Sequence, residues 1–309
     1  MTEQHQDQPQ AWTPPRFLPP AEPLRRADGS RHYPGISYAT LPGYRPLKLD
    51  LWVPEGEGPH PVVVFVHGGA WAFGDRGDLL PAQDTSAVID LLLAADLAVA
   101  SIDYRLSREA TFPAQLYDTK SAVRYLRRHA DQLGLDSSRT AVWGESAGAH
   151  LAALLALTAD RVELAGNIGV TGPDSTVVAA VGWYGIYDLA ALPTFVLPPD
   201  ITLPADMAQD LIEQLLGGVA NPELAMSASP VTYVTAAAPP FLLIHGTADR
   251  LVPFEQSLLL EKSLLAHSAE VQLVPVDDAD HGLFGAPELA TLLQQTVAFL
   301  STHLREENR

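Results

Sequence analysis

One serine-centred turn constrains this chain more than any other segment. Gly144-Glu145-Ser146-Ala147-Gly148 follows Arg139-Thr140-Ala141-Val142-Trp143, whose β-branched and aromatic bias suits a short buried strand. It precedes Ala149 to Leu157, an Ala/Leu-rich run that favours helix. A chain passing from strand to helix this abruptly lifts one side chain clear of the sheet. Glycines on both flanks remove the Cβ atoms that would collide in the reversal, and the new helix aims its positive end at the serine. In this context Gly-x-Ser-x-Gly reads as a nucleophile elbow. About one 300-residue chain in ten would carry the pattern by chance, so the reading needs support from elsewhere in the chain.

His67-Gly68-Gly69-Ala70-Trp71 supplies part of it, placed directly after Pro61 to Val66, the most strand-like run present. Two glycines leave backbone N–H groups accessible. At the carboxyl end of a central strand such donors can point at an oxygen that becomes negative in a tetrahedral intermediate, where losing one donor typically costs ~3 to 4 kcal/mol of barrier.

A serine also needs a base to take its proton and a carboxylate to orient that base. Of ten histidines, His267, His281 and His303 lie far enough beyond Ser146 to follow a further strand and an acid. His267 ends a helical run and His303 lies in the last helix, so both are expected at the surface. His281 follows the strand Val271 to Val276 and precedes Gly282, which puts it on a loop at a strand's carboxyl end. Asp249 follows the strand Phe241 to Ile244 and is the leading acid; Asp277, Asp278 and Asp280 compete by proximity to His281.

Alternating strand and helix signals fill most of the chain. Strands are expected at 36–41, 46–53, 62–66, 98–102, 140–143, 177–183, 241–244 and 271–276, and helices near 84–95, 114–131, 147–158, 255–267 and 287–304. The expected fold is α/β, a mostly parallel, doubly wound, eight-stranded sheet whose catalytic candidates fall at strand carboxyl ends. Residues 1–30, rich in Gln and Pro, read as a flexible amino-terminal arm, leaving 31–309 as one domain. Residues 188–236 interrupt the alternation. Pro193, Pro198, Pro199 and Pro204 stiffen that stretch, and Met207, Leu211, Ile212, Leu215 and Leu216 recur at helical spacing, so a small cap over the site is expected.

Composition narrows the chemistry. With 19 basic against 37 acidic residues the formal charge is −18, which disfavours nucleic acid, anionic membrane and anionic substrates. The absence of cysteine excludes disulfides and thiolate catalysis. Neither a basic, apolar leader nor a run of ~20 apolar residues is visible, so a cytoplasmic enzyme is expected, with homo-oligomerisation open.

Together with Asp103-Tyr104-Arg105-Leu106, His245-Gly246-Thr247-Ala248-Asp249 and Asp280-His281-Gly282, the two glycine motifs resemble the alpha/beta hydrolases of the hormone-sensitive-lipase-like type. The likeness is greatest to bacterial carboxylesterases near the feruloyl esterase branch and covers about residues 34 to 305. It implies Ser146 as nucleophile, His281 as base and Asp249 as orienting acid. It transfers the oxyanion donors to Gly69 and Ala70, with Ala147 as the third. Because Ala70 and Trp71 stand where relatives carry a third glycine, the Gly68, Gly69 and Ala70 amides all remain candidates.

Trp71, Trp183 and Tyr184 are the expected substrate-pocket residues, although the two at the strand end equally suit packing of sheet against helix. Glu145, at the variable position of the elbow, is read as a structural hydrogen-bonding group, with tuning of His281 as the alternative. Arg105 and Asp118 are read as a brace, and His67 and His245 as residues that order backbone. The implied activity is hydrolysis of short-chain, uncharged carboxylic esters through an acyl-enzyme, with neither metal nor organic cofactor. The His-Gly-Gly-x-Trp variant also resembles kynurenine formamidases, which makes aryl-formamide hydrolysis the alternative. A catalytically silent binding protein of the same fold is the third reading.

Overall fold

The protein is described by a computed structural model, which covers residues 15–80, 84–192, 211–218 and 222–305. Among the described residues nine strands form one sheet: β1 (Leu24–Arg25), β2 (Arg31–Ala39), β3 (Leu47–Val53), β4 (His60–Val66), β5 (Ala98–Ile102), β6 (Leu135–Glu145), β7 (Ala179–Trp183), β8 (Phe241–Gly246) and β9 (Val271–Val276). Their spatial order is β1-β2-β3-β5-β4-β6-β7-β8-β9. The first three join antiparallel, and from β5 onward every pairing is parallel. Eight strands match the expected ones. The ninth, β1, is two residues long and too short to leave a periodicity in the sequence.

Helices α1 (Thr85–Ala94), α2 (Ala114–Arg128), α3 (Ala130–Leu133), α4 (Ala147–Leu157), α5 (Leu211–Leu216), α6 (Pro222–Ser227), α7 (Glu255–Ala266) and α8 (Leu289–His303) complete the described residues. All seven residues of β4 are buried, which explains an uninterrupted apolar run in place of alternation. Alternate β4 side chains serve the two faces. Val62, Val64 and Val66 pack with Leu116 and Val123 of α2, Leu151 and Leu154 of α4 and Leu260 of α7. Val63 and Phe65 pack with Val88 and Leu92 of α1 and Leu293 and Leu300 of α8. No helix among the described residues is long and apolar enough to cross a membrane.

The chain leaves β4 for β5 on one side and returns to β6 on the other, so the winding direction reverses at β4. The crevice that such a reversal opens beyond the carboxyl ends of β4 and β6 is the ligand position of open α/β sheets. It lies where His67 to Trp71 and Ser146 leave those two strands.

The amino-terminal segment departs from the expected loose arm over its described part. The Leu18 amide donates to the Ser37 carbonyl at 2.9 Å, the Tyr125 hydroxyl donates to the Leu18 carbonyl at 2.7 Å, and the Phe17 ring meets Tyr125 edge-on at 6.0 Å. The backbone of Leu18 and the ring of Phe17 seat this stretch, and average composition does not register either. Residues 1–14 lie outside the described residues.

Arg105 and Asp118 form a buried fork: Nε and Nη2 of Arg105 reach Oδ1 at 3.1 and 2.7 Å, and the Arg105 amide donates to Oδ2 at 2.8 Å. Burial pushes the Asp118 carboxyl up to about 6 even against the guanidinium that pulls it down. Removing Arg105 strands a buried carboxylate, so Arg105→Ala should cost about 3 to 5 kcal/mol at pH 7. Its folded value is raised, so the unfavourable ionised state is avoided as pH falls through about 6, and the cost should shrink there. Urea unfolding of both proteins at pH 5 and 7.5 checks this; an equal cost at the two values would contradict it.

Candidate active site

The elbow is built as tightly as its glycines suggest. Ser146 closes β6 and caps α4 with φ 50° and ψ −120°, a left-handed conformation that costs a non-glycine residue of order 1 to 3 kcal/mol. A Cβ on Gly144 would lie 2.2 Å from the Gly148 carbonyl oxygen, and one on Gly148 would lie 2.0 Å from that of Val66. Neither neighbour can yield, because both are backbone. Gly148→Ala should therefore lower stability by about 3 kcal/mol or more, or prevent folding. A variant with an unchanged thermal midpoint would refute that steric account.

Ser146, His281 and Asp249 converge from three separate loops. His281 Nε2 lies 3.1 Å from Ser146 Oγ, and its Nδ1 lies 2.8 Å from Asp249 Oδ2. Asp249 is fully buried at the side chain, while Ser146 and His281 keep partial exposure. The other Asp249 oxygen accepts the Leu251 and Val252 amides at 2.9 and 2.8 Å. His245 Nε2 approaches Oδ2 at 3.2 Å while its Nδ1 meets the Ser257 hydroxyl at 2.7 Å. Burial opposes a charge on Asp249, but hydrogen bonds and positive charge from His245 and His281 outweigh it and hold the carboxyl well below the usual range.

The competing residues point elsewhere. Asp280 is committed to Arg250, whose Nε lies 2.6 Å from Oδ2, and its Oδ1 accepts the His281 backbone amide at 2.8 Å. His267 is exposed and bonded to the Ser263 carbonyl, and His303 faces Glu270 at 3.6 Å. His67 is buried, stacks on Tyr104 at 4.3 Å and holds the Gly68 carbonyl at 2.8 Å.

Around the serine, φ angles of 96°, 49° and 59° at Gly69, Ala70 and Trp71 curl the loop after β4. Gly68 sits against the nucleophile, since a Cβ there would lie 3.4 Å from Ser146 Cβ. Its amide is already committed, donating to Glu145 Oε1 at 3.3 Å. Among the described residues the Gly69 and Ala70 amides find no acceptor. Ala147 opens α4, so its amide is one of the helix-end donors without an intrahelical partner. Leu211 of α5 packs on Ala72, with Ala70 and Phe73 beside it, bringing the described part of the 188–236 insertion against this loop. Met207, Pro193, Pro198, Pro199 and Pro204 lie outside the described residues.

Two of the three residues named for the pocket are packed inside the fold, which for Trp183 is the second of the two readings left open. Trp71 is fully buried and donates its indole N–H to His150 Nδ1 at 3.0 Å, with His150 Nε2 2.7 Å from the Ala228 carbonyl. Trp183 is buried between sheet and α8, donating to Thr296 Oγ1 at 3.2 Å. Their indole bodies fill layer interfaces and their N–H groups find partners there, which is what a buried tryptophan requires. Tyr184 is different: its ring meets the His281 imidazole edge-on at 4.9 Å and its hydroxyl donates to Glu145 Oε2.

A cavity of about 440 Å³ opens along the glycine loop after β4, with Gly68, Gly69, Phe73, Asp78, Leu80 and Glu145 in its wall and neither Ser146 nor His281 lining it. Sequence reasoning missed Phe73, Asp78 and Leu80. Their signal was an aromatic and a Leu79-Leu80 pair inside an otherwise Gly/Asp-rich loop directly after the glycine motif.

The sheet order and the strand–turn–helix elbow are those of an alpha/beta hydrolase. Residues 49–264 match the BD-FAE family, and the chain belongs to it. Esterase LipC of Mycobacterium tuberculosis (strain ATCC 25618 / H37Rv) is 34% identical over 274 residues, covering 88% of this chain and 64% of that protein. A probable isoprenylcysteine alpha-carbonyl methylesterase, ICMEL1 of Arabidopsis thaliana, is 30% identical over 241 residues, 76% of this chain and 48% of its own. The chain thus spans about half to two thirds of the length of these relatives. Among solved structures, a truncated carbohydrate esterase from gut microbiota superposes with a TM-score of 0.76 at 26% identity, over 93% of this chain and 99% of that one. The propionate-bound esterase Est2 of Thermogutta terrifontis gives 0.65 at 25% identity, over 87% and 91%.

Proposed function

We propose that this protein is a serine carboxylesterase that hydrolyses short-chain, uncharged carboxylic esters. The observation that carries the reading is the Ser146–His281–Asp249 chain of contacts at 3.1 and 2.8 Å beside two amides without acceptors. In the first half-reaction Ser146 Oγ attacks the ester carbonyl carbon while His281 Nε2 takes the hydroxyl proton. The carbonyl oxygen, now negative, is met by the Gly69, Ala70 and Ala147 amides. As the C–O bond to the alcohol breaks, His281 returns the proton to the leaving oxygen, leaving an acyl-serine. Water, deprotonated by His281, then attacks the acyl carbon, and Ser146 regains its proton as the acid departs. Relatives named as esterases, and a neighbouring esterase solved with propionate, support this class of substrate.

The direct test is labelling by a fluorophosphonate, which should modify wild type stoichiometrically and leave Ser146→Ala untouched. Parallel turnover of p-nitrophenyl acetate and N-formylkynurenine separates ester from formamide hydrolysis; faster turnover of the formamide would replace the reading. The cavity wall combines Phe73 and Leu80 with Asp78, Thr85 and Glu145. Each buried methylene contributes roughly 0.8 kcal/mol only while it meets apolar surface, and a polar wall withdraws that gain. Across p-nitrophenyl esters from acetate to palmitate, kcat/KM should peak at short acyl length and fall well before palmitate. A maximum at palmitate, or activation when substrate forms micelles, would make this a lipase.

A further inference from the structure

The proposed chemistry uses the backbone around Glu145 but leaves its side chain without a role. That side chain is 3% exposed, sits one residue before the nucleophile and reaches two parts of the machinery at once. Oε1 accepts the Gly68 amide at 3.3 Å, fixing the loop that carries the Gly69 and Ala70 amides. Oε2 accepts the Tyr184 hydroxyl, and the ring of that tyrosine lies edge-on to His281 at 4.9 Å. Glu145 also forms part of the wall of the cavity along the glycine loop.

We infer that Glu145 is a proton-gated positioning residue: in its ionised form it anchors the oxyanion loop through Gly68 and steadies His281 through Tyr184. The inference rests on the esterase reading. Only the carboxylate is an acceptor at both oxygens. Protonation converts one oxygen into a donor, which disturbs one of the two anchors. It also removes a negative charge that faces the imidazolium formed when His281 takes the serine proton.

The surroundings make this gate operate near neutrality. Burial pushes the Glu145 carboxyl up to about 7, against the Tyr184 and Gly68 hydrogen bonds and the nearby His281, which favour its charged form. The titratable groups facing it are Tyr184 at the end of β7, His281 after β9, Asp78 across the cavity and Tyr104 after β5, with Asp249 behind Tyr184. Asp78 opposes the charge on Glu145. Burial, and then Glu145 itself, raise Tyr184 and Tyr104 far above the ordinary phenol value, so both remain protonated donors.

Two deprotonations, of His281 and of Glu145, then precede full activity, and the acid limb of log kcat/KM against pH should be steeper than one proton. Glu145→Gln keeps the size and the acceptor toward Gly68 but cannot ionise. It should lower kcat about tenfold at pH 8, leave KM within about twofold, and reduce the acid limb to one proton. Tyr184→Phe keeps the ring on His281 and removes a hydrogen bond that favours the ionised carboxyl, so the steeper step should persist but move to higher pH.

A readout free of turnover accompanies these. Nitrogen-15 resonances of His281, titrated in wild type and Glu145→Gln, should show imidazole protonation moving to lower pH once the carboxylate is gone. Failure of wild type to hydrolyse any ester or react with fluorophosphonate would fell the esterase reading alone, and the histidine titration would still decide the role of Glu145. Wild-type slope and an unmoved histidine titration in Glu145→Gln would overturn the proposal. So would a uniform loss of kcat at every pH with unchanged slope, which describes a merely structural residue.

Discussion

Ser146→Ala and His281→Ala are each expected to lower kcat by roughly four to six orders of magnitude, and the double variant to be scarcely worse than either. In the proposed reaction Ser146 cannot attack without surrendering its proton, and His281, 3.1 Å away, is the group that takes it. Removing either half therefore removes the same step. Residual turnover should come from the Gly69, Ala70 and Ala147 donors acting on water's own attack. Folding of Ser146→Ala should be nearly untouched. The Ser146 hydroxyl bonds only His281 among the described residues, while its backbone, held by the Trp183 carbonyl at 2.9 Å, is unchanged by alanine. The unfolding free energy of Ser146→Ala in urea should lie within about 0.5 kcal/mol of wild type, whereas His281→Ala also takes a hydrogen bond from the buried Asp249 carboxylate and should cost more. Losses that add in the double variant would mean that the two side chains act in separate steps, and the mechanism above would be wrong.

How much of this was legible in the sequence depends on the range of the forces involved. The sheet could be read because its strands are fully buried apolar runs, as at Val62 to Val66, or alternate strictly, as at Leu47 to Val53. The elbow was legible because backbone sterics at Gly144 and Gly148 leave no substitute. His281 could be singled out by its place after a strand, which is topology written into order along the chain.

The pocket was not legible. Trp71, Trp183 and Tyr184 all belong to loops or strand ends near the site, and only three-dimensional packing separates them. Trp71 turns to His150 on α4 and Trp183 to Thr296 on α8, partners 79 and 113 residues away, whereas Tyr184 turns to the imidazole. The choice among the Gly68, Gly69 and Ala70 amides was hidden for the same reason. The Glu145 carboxylate, 77 residues from Gly68, accepts the first of them and leaves the other two for the proposed role.

Asp249→Asn carries the second large expected effect, a loss of roughly 10³ to 10⁴ in kcat with the fold retained. The hydrogen bonds around Asp249 dictate which way an asparagine must sit. Its carbonyl oxygen is claimed by the Leu251 and Val252 amides, both of which donate to the Oδ1 position. The NH₂ group then falls at the Oδ2 position, facing His245 Nε2 and His281 Nδ1. A donor cannot face the donor that Nδ1–H now is, so His281 adopts the other tautomer, with its proton on Nε2. That nitrogen then points an N–H at Ser146 Oγ and cannot accept the serine proton.

Asp249→Asn should also alter acid stability. Because folding holds the Asp249 carboxyl below its ordinary value of 3.8, its contribution is complete above that value and is lost as pH falls below it. An asparagine has no such dependence, so the gap in unfolding free energy between variant and wild type should narrow below about pH 4. Steady-state kinetics at pH 8 and urea unfolding from pH 3 to 7 measure the two effects. Full activity in Asp249→Asn alongside a dead Asp280→Asn would transfer the acid's role to Asp280.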